Sequence, residues 1–152
     1  MYNLISTIAE RCHASATKRG KDTSSLGCIQ ALGVEQREYW EAHDKGAEVG
    51  DIRVLDAEAN KLSDADFVAL YEAKIHNTAS DELADVLITA ATWLHTAELE
   101  GGDDYDADRS LDVMLLSGAV QFVCGRITGP ADVERLQIVT NLRMRYNELR
   151  ED

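Results

Sequence analysis

The 152 residues carry 28 acidic side chains against 15 basic ones, a formal net charge of −13 and a pI near 4.6. Such a chain lacks the basic patches that a bare nucleic-acid backbone or an anionic membrane requires, so no nucleic-acid or membrane partner is expected, although a nucleotide can still bind where metal ions mediate the contact. A hydrophobic content of 45% is enough for one domain with its own core. No apolar run approaches the roughly 18 residues of a membrane-spanning helix.

The N-terminus has no basic leader region. Cys12, Cys28 and Cys124 are odd in number, lack Cys-x-x-Cys spacing and fall in apolar stretches, which reads as reduced core thiols in a cytoplasmic protein. Proline occurs once, strand-like alternation is nearly absent, and apolar residues recur at three and four, so the predicted class is all-α over a single domain, 1–152.

In chain order, a first helix is predicted from about Tyr2 to Lys18, with Leu4, Ile5, Ile8, Ala9, Cys12 and Ala16 as its buried stripe and Arg19-Gly20 as its stop. Lys18, Arg19 and Lys21 form the one dense basic cluster, which suits either the negative end of that helix or a phosphate. A second helix starts after Ser24 or Ser25 and ends at Lys45-Gly46. Residues 46–61 read as a loop with room for a short helix. Ser63-x-x-Asp66 caps a helix through Phe67, Leu70, Tyr71 and Lys74, and Thr78-x-x-Asp81 caps a long one that ends before Gly101-Gly102. Asp103, Asp104, Tyr105 and Asp106 make an acidic turn without a calcium-loop pattern. Leu111, Val113, Met114, Leu115, Ala119, Val120, Phe122 and Val123 then describe a helix apolar on most sides. Gly129-Pro130 opens the last helix.

The chemistry concentrates in two acid pairs. Glu35 and Glu38 lie three apart on the second helix, and Glu82 and Asp85 lie three apart in the otherwise apolar run Leu83-Ala84-Asp85-Val86-Leu87-Ile88. Each pair therefore shares one helix face. Two carboxylates about 4 Å apart repel by about 4 kcal/mol at an effective dielectric of about 20, so four acids brought together must take up protons or hold a cation. Oxygen-only donors favour Mg²⁺, with Mn²⁺ as the alternative, over zinc or copper. Glu41 lies further round the helix and ranks below these four. The histidines share no ligand spacing: Glu10-x-x-His13 is the one Glu-x-x-His, and a di-iron bundle wants two.

Glu-x-x-Glu on one helix followed by Glu-x-x-Asp on the next resembles the MazG-like all-α nucleoside triphosphate pyrophosphatases. The likeness extends to the Lys45-Gly46 stop, to Tyr71-Glu72-Ala73-Lys74, and to Arg143-Met144-Arg145-Tyr146-Asn147-Glu148-Leu149-Arg150, which is similar to the family's Lys-Met-x-Tyr-Asn-x-x-Arg segment with Arg143 in place of Lys. The resemblance implies a MazG-like helical bundle with extra C-terminal helices, assembled as a homodimer or homotetramer. It implies Mg²⁺-dependent hydrolysis of a (deoxy)nucleoside triphosphate to the monophosphate and pyrophosphate. Glu35, Glu38, Glu82 and Asp85 would then be metal ligands and Glu38 the general base. Arg143, Asn147, Arg150 and Lys74 would contact phosphate or sugar. A phosphoribosyl-ATP pyrophosphatase and a non-catalytic acidic bundle that binds or assembles with partners are the alternatives. The stretch between Glu100 and Val139 is longer than the family's usual link to the Asn-bearing helix.

Overall fold

The structure, a computed structural model, describes residues 1–100 and 107–150, with the side chains of Tyr2 and residues 107–115 excepted. The expectations for Gly101, Gly102, Asp103, Asp104, Tyr105 and Asp106, and for the side chains of Leu111, Val113, Met114 and Leu115, lie outside these residues. The described residues form seven helices and no strand: α1 (Tyr2–Lys18), α2 (Ser25–Asp44), α3 (Ile52–Ala59), α4 (Asp64–Lys74), α5 (Ala79–Glu100), α6 (Ala107–Cys124) and α7 (Pro130–Leu149).

The helix ends follow local chemistry. Gly20 and Gly46 adopt φ values of 70° and 65°, a region that costs a side-chain-bearing residue energy and glycine little. Each closes a Schellman turn, in which the Lys21 N–H donates to Ala16 O at 3.0 Å and the Ala47 N–H to Ala42 O at 2.9 Å. Ser24 Oγ accepts from the Gly27 N–H at 3.1 Å, Asp51 accepts from Arg53 and Val54, and Ser63 Oγ accepts from the Asp66 N–H at 3.3 Å. Pro130 stands in the first turn of α7, where its missing N–H costs nothing. Segment 46–61 is more ordered than a loop. Ile52, Leu55 and Ala59 recur at three and four, bury one face, and make the eight-residue α3.

The chain divides into two compact units, Met1–Val34 with Val86–Ile127 and Glu35–Asp85 with Thr128–Asp152. In the first, α1 buries Ile5, Ile8, Ala9, Cys12 and Ala16, as its spacing predicts, with Leu4 half-buried. Trp93 Nε1 donates to Ser25 Oγ at 3.3 Å and Thr96 Oγ1 to Thr23 O at 2.6 Å, which ties the start of α2 to α5. Cys12 and Cys28 are buried, but Cys124 is exposed because it is the last residue of α6.

Gly27 in this unit has no room for a side chain. A Cβ there would lie 2.5 Å from the backbone oxygen of Asp22. Gly27→Ala is therefore expected to destabilise the protein by about 1–3 kcal/mol, because a backbone atom must move to admit it. Urea unfolding with an unchanged midpoint would refute that.

In the second unit α7 lies against α3 and α4. Its core joins Ile52, Leu55, Ala59, Phe67, Tyr71, Ile75, Ala84, Val139, Leu142 and Tyr146. Tyr71 and Tyr146 stack at 4.5 Å between ring centroids. Arg145 crosses from α7 to donate to Ala59 O at 3.0 Å and to Asp64 at 3.0 Å, and Arg53 of α3 clasps Glu134 at 2.7 Å.

Candidate metal centre

All four predicted acids belong to the second unit, in which the C-terminal part of α2 carries Glu35 and Glu38 and the first turns of α5 carry Glu82 and Asp85. Carboxylate oxygens of Glu35, Glu38 and Glu82 lie within 4.8 Å of one another. Glu82 is buried, Glu35 is half-buried and Glu38 is exposed, so the group opens at Glu38. Asp85 stands beside the three, buried, and its Oδ2 accepts from Arg143 Nη2.

The environment of these acids disfavours full ionisation. Burial first, then the charges of Asp85, Glu38 and Glu82, push the Glu35 carboxyl up to about 8, with Arg143 opposing. Burial, followed by Asp81 and Asp85, pushes Glu82 up to about 7. A dication is the natural counter-charge for carboxylates so arranged, because it neutralises them without protonating them, and three oxygen donors of this kind suit Mg²⁺ or Mn²⁺.

The residue that sequence reasoning treated only as a helix cap, Asp81, is fully buried behind this group. Its N–H does donate to Thr78 Oγ1 at 3.3 Å, as a cap predicts. Its carboxylate does more. Oδ1 accepts from the Tyr71 hydroxyl, Oδ2 accepts from the Asn77 N–H at 2.9 Å and lies 3.2 Å from His76 Nδ1, and Arg143 Nη1 reaches both oxygens at 3.0 and 2.8 Å. Burial alone would raise the Asp81 pKa. The His76 contact, the Arg143 charge, and the Tyr71 and Asn77 hydrogen bonds outweigh it, so Asp81 is held below the ordinary carboxylate value. Asn77, which joins α4 to α5, takes φ 61°, a left-handed conformation that asparagine tolerates better than most residues.

The expected substrate contacts are placed less uniformly. Arg143 is buried, its Nη1 on Asp81 and its Nη2 on Asp85, so it faces acids where sequence reasoning had it face phosphate. The two carboxylates outweigh the cost of burial and raise its pKa further. Asn147 is buried too, and its Oδ1 has no hydrogen-bond partner among the described residues. Arg150 caps the end of α7 with its guanidinium 5.3 Å above the Tyr146 ring. Lys74 is exposed at the end of α4. Glu41 pairs on the surface with Arg37 at 3.8 Å, a contact of little energetic value between exposed groups.

These shifts fix a pH dependence for the metal-free protein. Glu35 and Glu82 bind protons more tightly folded than unfolded, so they cost nothing below their ordinary value and progressively destabilise the fold as pH rises through about 7 and 8. Asp81 acts oppositely: its contribution is present above the ordinary carboxylate value and is lost as pH falls through its lowered one. Stability in EDTA is therefore expected to be greatest at about pH 5, just above the ordinary carboxylate value, and to decline up to about pH 8, where both groups are ionised in the folded protein. Saturating Mg²⁺ should flatten that decline and raise the melting temperature, since a ligand of the folded state at 100 times its Kd adds about 2.7 kcal/mol. Melting curves across this range, with and without Mg²⁺, check both. No family model, no curated protein and no solved structure matches the chain.

Proposed function

We propose that the chain is a Mg²⁺-dependent nucleoside triphosphate pyrophosphohydrolase of the MazG-like kind, converting a (deoxy)nucleoside triphosphate and water to the monophosphate, pyrophosphate and a proton. The observation that carries this reading is the convergence of Glu35, Glu38 and Glu82 within 4.8 Å, with Asp85 beside them, from the two helices that bear the paired-acid motifs.

Glu35, Glu38 and Glu82 would hold the ion, Mn²⁺ serving as a substitute. A divalent ion bound there neutralises triphosphate oxygens and makes a neighbouring water more acidic. Glu38, the exposed member, would accept the proton of the water that attacks the α-phosphorus as the α–β anhydride bond breaks. Asn147 would contribute a buried amide whose oxygen has no hydrogen-bond partner among the described residues, which suits a polar contact with the substrate. Arg150 and Lys74 supply the local cations that a triphosphate needs on approach to a chain of net charge −13.

The decisive experiment measures pyrophosphate release from a panel of nucleoside and deoxynucleoside triphosphates with Mg²⁺ and with EDTA. Release that requires the ion, accompanied by a stoichiometric monophosphate, is the expected result. Absence of release from every member would overturn the reading in favour of a non-catalytic acidic bundle.

A further inference from the structure

We infer that Asp81 is a positioning residue that works through Arg143, the two forming a clasp that holds Asp85 beside Glu35, Glu38 and Glu82 so that a divalent cation is received by those three. The inference rests on the cation-binding part of the function proposed above and adds to it a residue outside the two acid motifs.

Asp81 and Asp85 are four apart on α5 and so share one face, one turn from each other. The Arg143 fork spans them, Nη1 on both oxygens of Asp81 and Nη2 on Asp85 Oδ2. A guanidinium is suited to this because its donors are fixed in a plane; a lysine ammonium cannot hold two carboxylates in a set relation. The anchor end is the firmer one. Asp81 is fully buried and is fixed independently by the Tyr71 hydroxyl and the Asn77 N–H, the latter on a left-handed backbone, while His76 Nδ1 lies 3.2 Å from both Asp81 Oδ2 and Arg143 Nη1. Asp85 is the acid whose position the guanidinium sets, and it is the one predicted ligand outside the group whose oxygens converge within 4.8 Å.

The charge count argues against a purely structural ion pair. One cation shared by two buried carboxylates leaves a net negative charge in the interior, where apolar side chains of similar volume would stabilise at least as well. The arrangement makes sense beside a site that receives positive charge, where groups behind the ligands orient them and tune affinity.

The test is Mn²⁺ titration followed by the electron paramagnetic resonance signal of free Mn²⁺, which counts bound ions and gives Kd without substrate or turnover. Arg143→Lys keeps the charge and loses the fork. The tie from the fork to Asp85 Oδ2 is then lost and its charge bears on the other three acids, so Mn²⁺ should bind about tenfold more tightly, with Arg143→Met at least as tight. Asp81→Asn places the whole guanidinium charge on Asp85 and should weaken binding about tenfold. Because Arg143→Met leaves two buried carboxylates without their guanidinium and is at risk of misfolding, the double variant Asp81→Asn/Arg143→Met, which removes one of those charges, is included. If Asp81 acts through Arg143, the double variant binds like Arg143→Met. Arg143→Lys binding like wild type, or Asp81→Asn weakening binding equally when Arg143 is absent, would overturn the clasp while leaving the cation site standing. A wild-type protein that binds no Mn²⁺ at millimolar concentration would overturn both.

Discussion

Glu82→Gln is expected to abolish Mg²⁺-dependent pyrophosphate release, lowering kcat/KM by at least about 100-fold, beyond the effect typical of altering a group behind the ligands. Among the three converging acids Glu82 is the most buried, and it sits on α5, where residues 81 to 88 are otherwise enclosed. Replacing one oxygen by an amide keeps its volume and removes its charge. The same change relieves repulsion with Asp81, Asp85 and Glu38, so the metal-free variant should be more stable than wild type at pH 8. This pairing of outcomes is diagnostic. Loss of activity alone is also produced by misfolding, whereas loss of activity with a gain in metal-free stability requires that the wild type tolerate an unfavourable charge for function. Retained turnover would remove Glu82 from the site. Lost turnover without the gain in stability would show that its charge is relieved by other groups.

Much of this arrangement is legible in the sequence because it is local. The Glu35/Glu38 and Glu82/Asp85 spacings place each pair on one helix face, and the stops at Gly20 and Gly46 and the starts at Ser63 and Pro130 fall where their backbone chemistry requires. The short helix α3 was legible only as a possibility, since eight residues give two turns of periodicity and most of its stability comes from packing on α7. What sequence spacing does not show is which charges meet across the chain. Arg143 reaches Asp81 over 62 residues, and nothing in either local pattern announces it. The signal available was indirect: Asp81 precedes Asp85 by one turn in an apolar helix, so a third acid on that face wanted a partner as much as the two in the motif did. Thr78-x-x-Asp81 explained the residue as a cap and so hid that demand. For the same reason the sequence groups Arg143 with Asn147 and Arg150 as contacts to phosphate or sugar, whereas the Arg143 guanidinium is taken up by Asp81 and Asp85.

The second large effect belongs to that clasp. Arg143→Ala is expected to destabilise the fold by about 3–5 kcal/mol, the range for removing one member of a buried ion pair, and more than the loss of its packing alone. Two carboxylates are left behind. Asp81 keeps the Tyr71 hydroxyl and the Asn77 N–H, but it loses the contacts at 3.0 and 2.8 Å that supply its only guanidinium among the described residues. Asp85 loses the Arg143 Nη2 contact, so its charge bears more heavily on Glu35 and Glu82. For a chain of this length each kcal/mol moves the melting temperature by about 2–4 °C, so a drop of about 10 °C is the expected reading. Its dependence on pH identifies the cause. If the loss comes from unpaired carboxylates, it should shrink as pH falls towards 5 and the acids take up protons, and Mg²⁺ should recover part of it at pH 7 by supplying the missing positive charge. A loss that is the same at pH 5 and pH 8 and insensitive to Mg²⁺ would instead mean that Arg143 stabilises α7 through its packing beside Tyr146, whose ring lies 5.5 Å from the guanidinium carbon.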